Sequence, residues 1–546
     1  MQPSYSDFHL SKYIILISPF TDFNKTHNQY SIMKIFTKTL SFLALALMLS
    51  ISINAQGFDG YALYNNLNSN TSYLIDKNGD IAHTWNNARA ANYAMAMKPD
   101  GNIVRGAVYP SNQINGAAVG GMLQEIDPAG EVVWEFIHST TDRVTHHDIA
   151  LMPNGNVLMI AWYRRSQAEL EALGYTGTGQ KYSTNIIEVS PDGAGGAGII
   201  WEWHITDHFV QNVDTTLSNY GSIADHPELL NINVQTSGGG GGPGGGADWF
   251  HCNGIDYNPD LDQIAFSSRF LSEVFIIDHS TTTAEAAGHA GGNSGKGGDF
   301  LYRWGNPSNY NTPGNKTIAG AVHDVRWITN DGRPNAGYLQ FFNNSATGTT
   351  GGVSAVDAVK TPLSVDGYNY DKEAGVAYGP EMYDWRHECE DFAWGQSASD
   401  IMKNGNVFVA MSGEYMYEAN QNGNIVWQYN AGPAKAFRYE CDHPGIIALT
   451  QEGIIENLCM ISSVDEALQA KVNISPNPSS GLYQISGLTN ENVIEKVIVF
   501  DLLGQEVEAS YQNSELDLTN NANGMYYLNI QFSNSTMITK KISLVR

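Results

Sequence analysis

The stretch LQEIDPAGEVVW (residues 123–134) decides the fold: two short β-rich runs flank a tight turn, and the second run ends in tryptophan. The same element returns as Ile186-Ile187-Glu188-Val189 before Trp201, as Val274-Phe275-Ile276-Ile277-Asp278 before Trp304, and as Asn424-Ile425-Val426-Trp427. Between these copies lie turns of one chemistry: Lys77-Asn78-Gly79, Pro99-Asp100-Gly101, Pro153-Asn154-Gly155, Asn258-Pro259-Asp260, Asn330-Asp331-Gly332 and Lys403-Asn404-Gly405. Asx-Gly pairs supply positive φ at hairpin turns, and alternating β-branched and aromatic residues build strands. A four-stranded unit repeated about six times predicts an all-β fold, a six-bladed β-propeller, over residues 56–462. The competing expectation is a series of unrelated β-sandwiches, which does not explain why turn and tryptophan return together.

Composition agrees. The 546 residues are 42% hydrophobic and only 16% charged, which suits short strands and turns better than long solvated helices. A net charge of −27 leaves no basic face for nucleic acid. Four cysteines without a CxxC pair exclude a disulfide framework and a cysteine-built zinc site, although Cys389 and Cys441 could form one bridge. Met33-Lys34-Ile35-Phe36-Thr37-Lys38 leads into an apolar run from Leu40 to Ile53. This reads as a signal peptide over 33–55, with residues 1–32 an extension wrongly joined upstream. The run is too short for a membrane anchor and no cysteine follows it, so the mature chain is expected to lack a transmembrane segment and a lipid anchor.

Two glycine-rich stretches, Gly238–Gly246 and Gly288–Gly298, lack the Lys-Ser/Thr pair of a phosphate loop and read as flexible insertions. Near Val464 the composition shifts, and alternation through Ile498-Val499-Phe500 and Met525-Tyr526-Tyr527-Leu528 predicts a small β-sandwich over 463–546. That segment resembles the C-terminal sorting domain of type IX secretion substrates. The resemblance implies export through the periplasm of a Gram-negative bacterium, the type IX machinery as a partner, and a secreted or cell-surface location.

Three of the 15 histidines stand out by context: His147 before Asp148, His251 in Asp248-Trp249-Phe250-His251-Cys252-Asn253, and His323 before Asp324. Each lies at the start of a strand that precedes a turn, which puts all three in one register of the repeat. First strands line the central channel of a propeller, so distant histidines are expected to meet there. Any one of them alone reads as a satisfied structural residue; three in matching positions point to chemistry. Arg269, closing Ser267-Ser268-Arg269 on a stretch poor in charge, could receive an oxyanion or pair with an acidic neighbour. His279 and His289, in or beside Gly/Ser/Thr-rich loops, carry no special reading.

The ordered set resembles the bacterial arylsulfate sulfotransferases over roughly residues 57–450. It comprises His147-Asp148, His251 with Asn253, Ser-Ser-Arg ending at Arg269, His323-Asp324, and the segment Ser397 to Asn406. The resemblance implies a six-bladed propeller that moves a sulfuryl group from an aryl sulfate donor to a phenolic acceptor. It implies His323 as the nucleophile that becomes sulfated, with His251, Arg269 and His147 binding sulfuryl oxygens and assisting the leaving group. Asn253 would orient the substrate, and neither a cofactor nor a metal is needed. The chain departs from the family at Phe341-Phe342-Asn343-Asn344-Ser345 and in the charge-dense Asp384–Glu390 segment. Two other readings use the same residues. His147, His251 and His323, with His387 or His443, could ligate a metal, or the propeller could be a non-catalytic surface module for adhesion or glycan binding.

Overall fold

The computed structural model describes residues 59–236, 246–314, 318–346, 352–456, 471–488, 493–501, 506–532 and 537–546. The expected signal peptide, the upstream extension and residues 238–245 of the first glycine-rich stretch lie outside them. The Asx-Gly turns form as read: Gly79, Gly101, Gly155, Gly332 and Gly405 have φ between +83° and +90°. That region is open to glycine without a Cβ penalty.

Between Gly60 and Glu440 the strands make six four-stranded antiparallel sheets. The second to sixth sheets are each built from consecutive strands. They start with Ala91–Met97, Arg143–Leu151, Cys252–Asn258, His323–Trp327 and Ala398–Ile401. The first sheet is different. Gly60–Asn65, Thr71–Ile75 and Ile81–Asn86 are completed by Ala436–Glu440, which pairs antiparallel to Gly60–Asn65. The first strands of the second to sixth sheets pack side by side in order; the first sheet meets the second through Gly60–Asn65 and the sixth through Ala436–Glu440.

The cores follow the same order. Leu74 and Trp85 of the first sheet pack on Met95 and Ile103 of the second. Leu123 and Trp134 of the second pack on Val157 and Ile187 of the third. Comparable clusters join third to fourth, fourth to fifth and fifth to sixth, and Phe408 and Met416 of the sixth pack on Ala62 and Ile75 of the first. The ring is closed. Outermost strands carry Trp85, Trp134, Trp201, Trp304, Trp385 and Trp427, which explains the recurrence in the sequence. The Trp427 Nε1–H donates to the Lys77 carbonyl at 2.7 Å, tying the sixth sheet to the first.

C-terminal residues 473–544 form two further four-stranded sheets around one core. In Gly524–Phe532, Tyr526, Leu528, Ile530 and Phe532 are buried at every second position, the period of a strand with one covered face. Tyr483 and Leu516 enter the same core from the other sheet.

Two expectations need correction. Cys389 is a free, buried thiol, whereas Cys441 is disulfide-bonded, so these two do not bridge each other. The Gly288–Gly298 stretch is not a loose insertion: Gly297 N–H donates to Gly291 O, and Gly298 N–H to Gly288 O, at 3.0 and 3.1 Å. No helix among the described residues is long and apolar enough to cross a membrane.

Candidate active site

The inner strands begin irregularly, and this irregularity builds the site. Register shifts fall between Thr145 and Ile149, between Cys252 and Gly254, and between His323 and Arg326. His147, His251 and Asp324 adopt left-handed φ of 58°, 51° and 54°. Such backbone is costly for residues with a Cβ and persists where the surroundings impose it. The three histidines do not share one register: His147 lies inside its strand, His251 just ahead of its strand, and His323 heads its own. The bulges compensate, and the side chains converge. Ring centroids of His147 and His251 are 4.6 Å apart, and those of His251 and His323 are 6.5 Å apart. Tyr93, from the second sheet, sits 5.9 Å from His147.

His323 is buried, and its two nitrogens are distinguished by their partners. Nδ1 lies 2.8 Å from the Ala321 carbonyl and 2.6 Å from Asn344 Oδ1, while Nε2 lies 3.1 Å from the Gln396 amide nitrogen. The Asn344 Nδ2 donates to the carbonyls of Ala393 and Gln396, which fixes Oδ1 toward the imidazole. The proton therefore resides on Nδ1 and the lone pair on Nε2. Burial, then the nearby charges of Arg269 and His251, lower the His323 pKa well below 6.5. The ring is neutral at pH 7.

His251 Nδ1 contacts the Asp248 carboxylate. His147 Nδ1 lies 2.6 Å from Nδ1 of His146, whose ring stacks on Trp162 at 4.1 Å. Burial lowers the pKa of both His146 and His147 well below 6.5. Nε2 of His147 is buried without a partner among the described residues. The Arg269 backbone N–H donates to the His251 carbonyl, and its Nη2 donates to the Trp394 carbonyl at 3.0 Å. Among the described residues Arg269 has no carboxylate within ion-pair distance, although the charge of the nearby Asp248 acts on it. Asn253 is fully buried; its Nδ2 donates to the Val322 carbonyl and its Oδ1 accepts from Ser267. It thus holds the backbone immediately before His323.

The aspartates that follow His147 and His323 turn away from the imidazoles. Lys435 Nζ, itself buried, bridges Asp148 Oδ2 at 2.6 Å and Asp324 Oδ1 at 2.9 Å. Asp148 also accepts from the Ile255 N–H, and Asp324 from the Ser399 N–H and from Arg326. Burial would push the Asp324 carboxyl up, but Arg326 and Lys435 more than offset this and hold it below its ordinary value. This cluster, with its backbone partners, ties the first, third, fourth, fifth and sixth sheets together.

The sequence reading missed His146, Asp248, Asn344, Gln396 and Lys435. Two of them had a signal, since His146 adjoins His147 and Asp248 lies three residues before His251. His387 bonds Tyr417 from an outermost strand, and His443 caps the helix Pro444–Gln451, so neither joins the channel. Chemically, the centre offers a neutral buried imidazole, a carboxylate-oriented imidazole and a guanidinium that makes no ion pair among the described residues. Together these suit transfer of an anionic group through a covalent intermediate.

Comparison with known proteins identifies the family. Residues 54–431 match the family model described as Arylsulfotransferase (ASST), and residues 473–544 match that of the secretion system C-terminal sorting domain. No curated protein matches the chain. Among solved structures, similarity is found to a protein of unknown function from Bacteroides caccae, 12% identical, covering 70% of this chain and 98% of that one with a TM-score of 0.38. A putative 6-phosphogluconolactonase from Bacteroides fragilis is 11% identical, with coverage of 70% and 99% and a TM-score of 0.35. A β-propeller domain from Myceliophteria thermophila is 9% identical, with coverage of 68% and 85% and a TM-score of 0.34. The first family match spans well over half of the chain and contains the histidine cluster, so this protein belongs to the arylsulfotransferase family and, with its type IX sorting domain, is exported to the cell surface or beyond.

Proposed function

We propose that this protein transfers a sulfuryl group from an aryl sulfate ester to a phenol in a ping-pong cycle through sulfated His323. The observation that carries the reading is the tautomer of His323. Asn344 and the Ala321 carbonyl hold the proton on Nδ1, which leaves a neutral Nε2 lone pair close to the Arg269 charge. In the first half-reaction Nε2 attacks sulfur, the N–S bond forms and the S–O(aryl) bond breaks. The departing aryl oxide takes a proton from His251, whose Nδ1 is tied to Asp248. In the second half-reaction a phenol oxygen attacks the same sulfur, its proton returns to His251, and His323 is released. Arg269 and His147 stabilise the charge that spreads over the sulfuryl oxygens. The Gln396 N–H, which donates to Nε2 in the resting protein, has to give up that hydrogen bond during attack.

The same reading makes the six sheets the blades of a six-bladed propeller over 56–462, and residues 463–546 a β-sandwich recognised by the type IX machinery after passage through the periplasm. Incubation with nitrophenyl sulfate should release nitrophenol in proportion to added phenol. Mass spectrometry should then find a sulfated peptide containing His323. His323→Ala should lower turnover by roughly a thousandfold or more while circular dichroism stays unchanged. Turnover without sulfation of that peptide would refute the mechanism.

A further inference from the structure

We infer that His208, His289 and Asp299 form a binding site for a divalent transition-metal ion of the zinc class, away from the channel. Among the described residues, theirs are the ligand atoms of three or more such side chains that lie within 4.8 Å of one another. His208 ends the 3-10 turn Ile205–His208 that follows the outermost strand of the third sheet, and it is fully buried. Its Nε2 lies 2.8 Å from the Ala286 carbonyl, which can only accept, so that nitrogen carries the proton. Nδ1 faces Asp299 Oδ1 at 2.8 Å, a contact that requires a proton or a metal cation between the two atoms. His289 Nδ1 lies 2.7 Å from the same oxygen. Two imidazole nitrogens thus converge on one carboxylate oxygen, and a cation between the three satisfies all of them.

The surroundings are built to hold this arrangement. The His208 ring is stacked on Trp203 with an interplanar angle of 5°, and the Trp203 Nε1–H donates to the Gly298 carbonyl next to Asp299. A side chain at Gly298 would overlap the Ala286 carbonyl and His208 Nε2, so only glycine lets the Gly288–Gly298 loop close over the histidine. A backbone carbonyl on the far nitrogen of a buried histidine is the outer-shell partner that metal-ligating imidazoles need. Beside the site lies a cavity of about 690 Å³ lined by Asp207, His226, Glu228, His289 and Asp299, with room for a water as fourth ligand and a negative lining that favours a cation.

Two imidazoles and one carboxylate select zinc-like ions over calcium or magnesium, which prefer oxygen. Tetrahedral ligands about 2.0–2.1 Å from zinc sit about 3.3 Å apart. His289, 61% exposed on its loop, can draw back by that margin, while the buried His208–Asp299 pair has to open from 2.8 Å by about half an ångström. The ion would clamp the loop between the third and fourth sheets, linking Ala197–His204 to Phe300–Trp304.

The test uses the full chain, purified without an affinity tag, stripped with a chelator and dialysed. Zinc titration against a chromophoric indicator should show one tight site, and Tm should rise on adding zinc and fall again with chelator. Because His208→Ala leaves a hole beside Trp203, the decisive variant is His289→Ala at the exposed position. It should fold with the Tm of the stripped wild type, yet bind zinc weaker by roughly a hundredfold or more. Absence of a tight site in the wild type, or unchanged zinc affinity in His289→Ala, would overturn the inference.

Discussion

Asn344 decides which nitrogen of His323 keeps its lone pair. Its Oδ1 faces Nδ1, and its own amide is anchored to two carbonyls, so it cannot rotate to present a donor instead. In Asn344→Ala the proton is free to move to Nε2. We expect kcat to fall roughly 10- to 100-fold with KM little changed, because a tautomer is lost and not a binding contact; steady-state kinetics with an aryl sulfate would check this. The pH profile offers a second test. A histidine whose folded pKa is depressed stays neutral and reactive until the pH drops below that lowered value. The acid limb of donor cleavage, where His323 becomes protonated, should therefore lie well below pH 6.5. A limb centred at or above 6.5 would mean that the nucleophile is a solvated imidazole.

Between sheets, His279 is the comparable control point. It joins the end of Glu273–Asp278 to Glu188 at 3.1 Å and to Asp262 at 2.7 Å. Burial alone would lower its pKa, but the two carboxylates raise it to about 9. Its contribution to stability is therefore complete below the unfolded value near 6.5 and is lost as pH rises through about 9. His279→Gln should lower Tm clearly at pH 6 and hardly at all above pH 9.5, as calorimetry would show. The turns and strands around it were legible because their signals are local: an Asx-Gly pair or an alternating run carries its meaning within a few residues. The bulges at His147 and His251 were not legible, because nothing in those residue types demands positive φ. The packing of neighbouring sheets imposes it. The Gly288–Gly298 loop was misread for a related reason, since glycine marks freedom in an isolated chain and close approach in a packed one.

Across the whole molecule, the channel is held by charges that no local motif reveals. Lys435 reaches Asp148 and Asp324 from a position remote from both in sequence. Only the fold brings them together, so the sequence reading noted both aspartates beside their histidines without seeing the lysine that holds them. Lys435→Met would leave the buried Asp148 carboxylate without its cation and Asp324 with Arg326 alone. We expect a loss of about 3–5 kcal/mol in urea unfolding, the usual result of removing one partner from a buried ionic cluster. The ring has a further consequence for an exported chain. The strand Gly60–Asn65 emerges early, yet its partner Ala436–Glu440 is among the last of the six-sheet region to arrive. Until then Gly60–Asn65 presents a bare edge on the side its partner will occupy. A polypeptide cut short before Ala436 can never seal that seam, which leaves incomplete copies open to proteolysis while finished ones, sealed before the sorting tail follows, are spared.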